Sequence, residues 1–155
     1  MGTFIWHDWA RLLALTSACF TIWAAAWGIF FRKYFWSFVG GELGPEGLIP
    51  PPQAAFFVKT VVTLPLFQIL ILINGLLTLA LEYPLPQLRG TKLHRSLALR
   101  VGFYLFAALP SMFVYQTVDG GVFYLVTSVA CLRALRAGES LWSKVEDRPT
   151  ATAVA

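Results

Sequence analysis

The sequence predicts an all-α, polytopic membrane protein with four transmembrane helices as two hairpins and both termini cytoplasmic. Three observations predict it. Of the 155 residues, 57% are hydrophobic and only 13% are charged, far below the roughly 25% charged share of an ordinary water-soluble domain. The mean hydropathy is +0.66. The charges also gather between long apolar runs instead of spreading over them. Residues 1–142 are therefore expected to form one four-helix transmembrane domain, and 143–155 a short, disordered cytoplasmic tail.

The first span is the clearest. The charge-free run 12–31 has the roughly 20 residues needed to cross a hydrocarbon core of about 30 Å. Arg32 and Lys33 end it, and Trp6, Trp9, Tyr34 and Trp36 flank it, where amphipathic rings favour the headgroup level. The run is too long and too poor in leading basic residues for a cleaved signal peptide. Residues 40–53 hold Gly40, Gly41, Gly44, Gly47, Pro45, Pro50, Pro51 and Pro52, a composition that cannot sustain a helix and predicts an exposed loop. A second span is expected over 61–81, after Lys59, with Pro65, Gln68, Asn74 and Gly75 as its unusual members. Polar amides at such depth face other helices.

Residues 82–100 form the polar centre, with Arg89, Lys92, His94, Arg95 and Arg100 around Pro84, Pro86 and Gly90. The stretch 101–132, between Arg100 and Arg133, then carries a single charge, Asp119, beside Gly120 and Gly121 near its midpoint. A turn is expected there. Each arm reaches spanning length only if it extends to Leu97 and Leu135, with Arg100 and Arg133 snorkelling to one interface. A shallow re-entrant hairpin is the alternative. Four spans place Arg11, Arg89, Lys92, Arg95, Arg100, Arg133, Arg136, Lys144 and Arg148 on one side, against Arg32, Lys33 and Lys59 on the other. The positive-inside bias then sets both termini in the cytoplasm.

Reactive chemistry is sparse. The isoelectric point near 9.3 does not indicate nucleic acid, because the basic residues sit at helix ends without interleaved aromatics. Cys19 and Cys131 lie within apolar runs and act as small hydrophobes. Met1-Gly2 is followed by Trp6 where a myristoylation signal needs Ser or Thr. Only His7 and His94 are present, neither inside a span, so two axial ligands for a membrane haem are missing. Glu82 with His94, or His7 with Asp8, offers an acid and base, but no spacing sets either pair around one pocket. No phosphate loop, nucleophile motif or zinc-protease motif appears. The cluster Arg89, Lys92, Arg95 and Arg100 suits anionic lipid headgroups, or marks topology alone.

Three local patterns resemble a known family. They are Met1-Gly2 with Trp6, Trp9, Ala10, Ala14-Leu15 and Ser17; then Leu81-Glu82-Tyr83-Pro84 before a basic segment; then Arg136, Gly138, Glu139 and Trp142. In this order and at these helix boundaries they resemble the light (alpha) chain of the NADPH oxidase flavocytochrome b, most closely its fungal counterpart NoxD. The segment 40–59 is longer than in the animal chain. The proline-rich tail that docks an SH3 domain in the animal chain is reduced here to Pro149, so no SH3 docking is expected.

The resemblance implies a non-catalytic subunit that binds, stabilises and supports maturation of a catalytic oxidase producing superoxide. Haem and FAD would belong to that partner and no cofactor to this chain. Partner-binding or architecture-defining roles would fall on Trp6, Trp9, Glu82, Tyr83, Pro84, Gly138, Glu139 and Trp142. Small residues 24–26 with Gly28, and the amides Gln68 and Asn74, are the expected partner seam. Endoplasmic reticulum, other endomembranes or the plasma membrane would house the pair. Two rivals are an endoplasmic-reticulum assembly factor with several clients, and a small lipid-modifying enzyme using Glu82, His94 or Asp119.

Overall fold

In the computed structural model, residues 5–32, 42–45, 47–83 and 96–139 are described, and they form a helical bundle. The long first helix α1 (Trp6–Phe30) is followed by a short ribbon, β1 (Glu42–Gly44) and β2 (Gly47–Ile49). A 3-10 turn (Pro52–Ala54) leads into α2 (Ala55–Val58) and a π turn (Lys59–Thr63). Then come α3 (Leu66–Glu82), α4 (Leu97–Ser111), a 3-10 turn (Tyr115–Thr117) and α5 (Val118–Arg136). Two helical segments, Trp6–Phe30 and Tyr115–Arg136, are long and apolar enough to cross a membrane, and Pro52–Thr63 with Leu66–Glu82 makes a third if that bent pair is one span. At 15 residues, α4 is only about 22 Å long.

Small and hydroxyl side chains let the helices close on one another. On α1, Ala10, Ala14, Ser17, Ala18, Thr21, Ala24, Ala25 and Gly28 are buried while Leu12, Trp23, Trp27 and Phe30 point outward. This small-inside, large-outside order is typical of helices packing without a hydrophobic drive between them. At the centre, the Tyr124 hydroxyl donates to Thr78 Oγ1 at 3.1 Å and lies 3.4 Å from Thr21 Oγ1, joining α5 to α3 and α1. A Cβ on Gly75 would come within 2.7 Å of Ile22, and one on Gly120 would run into Thr21 Cγ2.

Several expectations need correction. Within the exposed, non-helical stretch expected around Pro45, the chain forms an antiparallel ribbon, pairing Glu42 with Ile49 and Gly44 with Gly47. The second apolar run is not one straight helix: it breaks at Leu64 and Pro65, with a 63° bend. Proline forces its predecessor out of the helical region, and Leu64 is extended at φ −115°, ψ 122°. Pro65 also has no N–H for the Val61 carbonyl, so Gln68 Nε2 donates there instead, at 2.8 Å. Arg32 donates to the carbonyls of Thr63 at 3.2 Å and Val62 at 3.5 Å.

The turn of the last hairpin falls at residues 112–117 and not at Asp119-Gly120-Gly121, which lie in the first turn of α5. Those glycines serve close packing against Thr21 and Ser111. The outer limits, Leu97 and Arg136, agree with the extended arms expected. Ala24, Ala25, Gly28, Gln68 and Asn74 are buried within this chain, so internal packing takes up the expected partner seam apart from Ala26, which is exposed. The loop around Arg89, Lys92, His94 and Arg95, together with the tail, lies outside the described residues.

The glycine contacts lead to a paired expectation. Gly120→Ala should cost roughly 1–3 kcal/mol through overpacking, whereas Gly102→Ala, whose Cβ meets nothing within 4 Å, should gain up to about 1 kcal/mol of helix propensity. Thermal unfolding of the purified chain in detergent, followed by size-exclusion chromatography, measures both.

Candidate functional site: the end of the bundle where α1 begins and α5 finishes

The N-terminus of α1 has no cap of its own. Ile5 occupies the N-cap position and offers no side-chain acceptor, leaving the first N–H groups of a 25-residue helix without local partners. Glu139, from the opposite end of the sequence, supplies them. Its Oε1 accepts from the Trp6 N–H at 3.0 Å and its Oε2 from the His7 N–H at 2.9 Å. The His7 ring sits between two carboxylates, Nδ1 at 2.9 Å from Glu139 Oε2 and Nε2 at 3.2 Å from Asp8 Oδ1. A carboxylate at a helix N-terminus is also favoured by the helix dipole.

Gly138 aims Glu139 at this target. Its φ of +70° is the left-handed conformation that glycine adopts without strain. The Glu139 N–H donates to Ala134 O at 3.0 Å and the Gly138 N–H to Leu135 O at 3.1 Å, the double bond pattern of a Schellman ending. One turn back on α5, the Arg133 guanidinium lies 5.6 Å from the Trp6 ring centroid, and Trp6 meets Trp9 edge-on at 5.9 Å. Burial alone would push the Glu139 carboxyl up, but the N–H groups of His7 and Trp6 and the His7 ring outweigh it and hold the group below its ordinary value.

A second cluster lies at the same end. Glu82 is 5% exposed and Arg100 4%. Arg100 donates to Glu82 Oε1 at 2.6 Å, and the Tyr104 hydroxyl donates to the same oxygen. Arg11 donates to the Glu82 backbone carbonyl at 3.3 Å, tying α1 to the C-terminus of α3. Arg100 therefore does not snorkel to an interface or join a headgroup-binding patch. Its charge is neutralised inside by Glu82, since an unpaired guanidinium there would be too costly.

Of the residues singled out from sequence, Trp6, Trp9, Gly138 and Glu139 come together as one unit, and Glu82 joins them through Arg11. Tyr83 is exposed at the end of α3; Pro84 and Trp142 lie outside the described residues. Sequence reasoning missed Arg100 and Tyr104 as partners of Glu82, and His7 and Arg133 as partners of Glu139 and Trp6. A signal for the first was available: an acid and a base facing each other across the ends of consecutive apolar runs. Asp119 is at the opposite end of the bundle from Glu82, so these two carboxylates share no pocket. Among the described residues, no group of three or more His, Cys, Asp or Glu side chains is placed to hold a metal ion.

Fold and site together define a helical bundle with two or three membrane-length segments, closed by charged clusters at the end where α1 begins and α5 finishes. The chain belongs to the family described as a domain of unknown function, DUF7727, which it matches over residues 1–139. No curated protein and no solved structure matches it.

Two outcomes are expected. Arg100→Met should destabilise the fold by about 3–5 kcal/mol, because Glu82 is left buried and unpaired, and Glu82→Gln combined with Arg100→Met should cost less than the two changes summed; thermal midpoints in detergent give all three values. For Glu139, a carboxyl held below its ordinary value in the folded chain contributes stability above its unfolded value and loses it as the pH falls through the folded one. The stability gap between the native chain and Glu139→Gln should therefore be open at neutral pH and close on acidification below the ordinary value of 4.5, as read from unfolding at a series of pH values.

Proposed function

We propose that this chain is a non-catalytic membrane subunit that binds, stabilises and supports maturation of a catalytic NADPH oxidase, in the manner of the flavocytochrome b light chain and its fungal counterpart NoxD. The observation that carries the reading is the convergence of the resembling segments. Trp6 and Trp9, Glu82, and Gly138 with Glu139 are far apart in sequence, yet they gather at one end of the bundle through Glu139 and Arg11. Their polar groups are engaged in capping and pairing, which supports an architectural role over a chemical one. Haem, FAD and the NADPH site would then reside in the partner, with superoxide as the partner's product.

In this reading α1, α3, α4 and α5 cross the bilayer as two hairpins with both termini cytoplasmic, in endoplasmic reticulum, other endomembranes or the plasma membrane. The short α4 crosses alongside α5 at a modest cost in hydrophobic mismatch. Since the small-residue seam is used internally apart from Ala26, the partner would meet outward side chains such as Leu12, Thr16, Cys19 and Trp23. A subunit that binds only the folded partner raises that partner's stability by mass action.

Affinity purification of the full chain from detergent-solubilised membranes should bring down a b-type haem absorbance, and deletion of the chain should lower the oxidase several-fold while leaving unrelated membrane proteins at their usual levels. A preparation free of haem, or the loss of many unrelated membrane proteins together, would contradict the reading.

A further inference from the structure

The segment between the ribbon and α3 leaves the bundle at the end opposite to Glu139, and its direction is fixed. Pro52–Thr63 meets Leu66–Glu82 at 63°. Backbone groups released by that break are held by Gln68 and Arg32. Phe57 stacks on Phe113 at 4.7 Å and on Phe67 at 6.4 Å between ring centroids. A segment pinned by both polar and aromatic contacts keeps its angle to α3.

The outward face of this segment is mixed. Phe56 is 65% exposed and Val62 36%, followed by Leu64 at 48%, while Lys59 and Thr63 are exposed among them. The surrounding level of the bundle has the same character. Arg32 reaches Val62 and Thr63 from the end of α1, and Gln116 donates to the Phe31 carbonyl. Those bonds place Phe31 and the Tyr115–Thr117 turn at the height of the bend. Trp27, Phe31 and Tyr115 are exposed there. Outward aromatic rings with a guanidinium and an ammonium at one height are the signature of a membrane–water boundary. An in-plane helical segment seats its apolar side chains just below the headgroups while its lysines stay among them.

Resting on the reading of the bundle as membrane-spanning, we infer that Pro52–Thr63 lies in the plane of the bilayer boundary, Phe56 and Val62 in the upper acyl chains and the Lys59 ammonium at anionic lipid phosphates. The second crossing is then α3 alone, and Pro65 marks the corner where the chain turns from the surface into the core.

The test uses the full chain with Cys19→Ser and Cys131→Ser, spin-labelled at Phe56→Cys and reconstituted in phosphatidylcholine vesicles containing phosphatidylglycerol. A label at Ile73→Cys, on the outward face of α3, serves as the depth reference, and Val62→Cys replaces Phe56→Cys if that variant does not reconstitute. Power-saturation measurements with oxygen and a nickel chelate should show nickel access at position 56 several-fold above that at 73, with oxygen access retained. A label as deep as Ile73, one as nickel-accessible as in water, or one shielded from both reagents would overturn the inference. If Ile73 itself is not deep, the membrane-spanning reading fails with it; if Ile73 is deep, only the in-plane assignment is lost. Lys59→Glu should raise nickel access at position 56 about twofold or more in anionic vesicles and leave it unchanged in pure phosphatidylcholine. The same access in both lipids would remove the phosphate contact from the proposal.

Discussion

The architecture depends on closing helix ends whose own residues cannot close them. Every α-helix leaves N–H groups at its start and carbonyls at its finish without internal partners, and an apolar bundle offers few replacements. Here the replacements come mostly from other helices. Glu139 closes the start of α1, Arg11 takes a carbonyl at the end of α3, and Arg32 and Gln68 take those exposed by the break before α3. Among the described helices, only α4 has a local side-chain N-cap, Ser96 accepting from the Leu99 N–H. Each bond satisfies one element and fixes its height against another, so capping and tertiary alignment are the same interactions.

Between these closed ends, contact distance is set by small side chains and specificity by a few buried polar groups. Gly75, Gly120 and Gly121 admit neighbours that a Cβ would displace. The Thr21, Thr78 and Tyr124 hydroxyls mark the height at which α1, α3 and α5 register. The Glu82–Arg100 pair with Tyr104 does the same for α3 and α4. Such a pair adds modest net stability because both charges lose water, yet it strongly disfavours any arrangement that separates them. Alternatives that slide α4 along α3 would strand a charge.

The sequence was most legible where charges mark boundaries. The first apolar run ends at Arg32 and the last helix ends within the turn holding Arg133 and Arg136, both close to what hydropathy and charge indicate. It was least legible where the backbone changes course inside an apolar stretch. Hydropathy is blind to the break at Leu64 because Leu, Val and Phe are equally greasy in a π turn and in a straight helix. The pertinent sign was Pro65 with an amide three residues later, able to serve the carbonyl that proline abandons. Gly120 and Gly121 were misread as a turn because glycine also serves close packing. Pairings such as Trp6 with Glu139 leave no periodic trace, and here only a family resemblance drew attention to both partners.

The cap on α1 has a consequence for how the molecule is made. The first helix emerges from the ribosome with its leading amides open, and the carboxylate that closes them follows the last of the described helices in the chain. Until Gly138 has turned the chain and delivered Glu139, every nascent form carries an uncapped start of α1. Closure of the first helix is thus deferred until the last described one has formed and turned at Gly138, and any chain that stops short of Glu139 leaves those amides open.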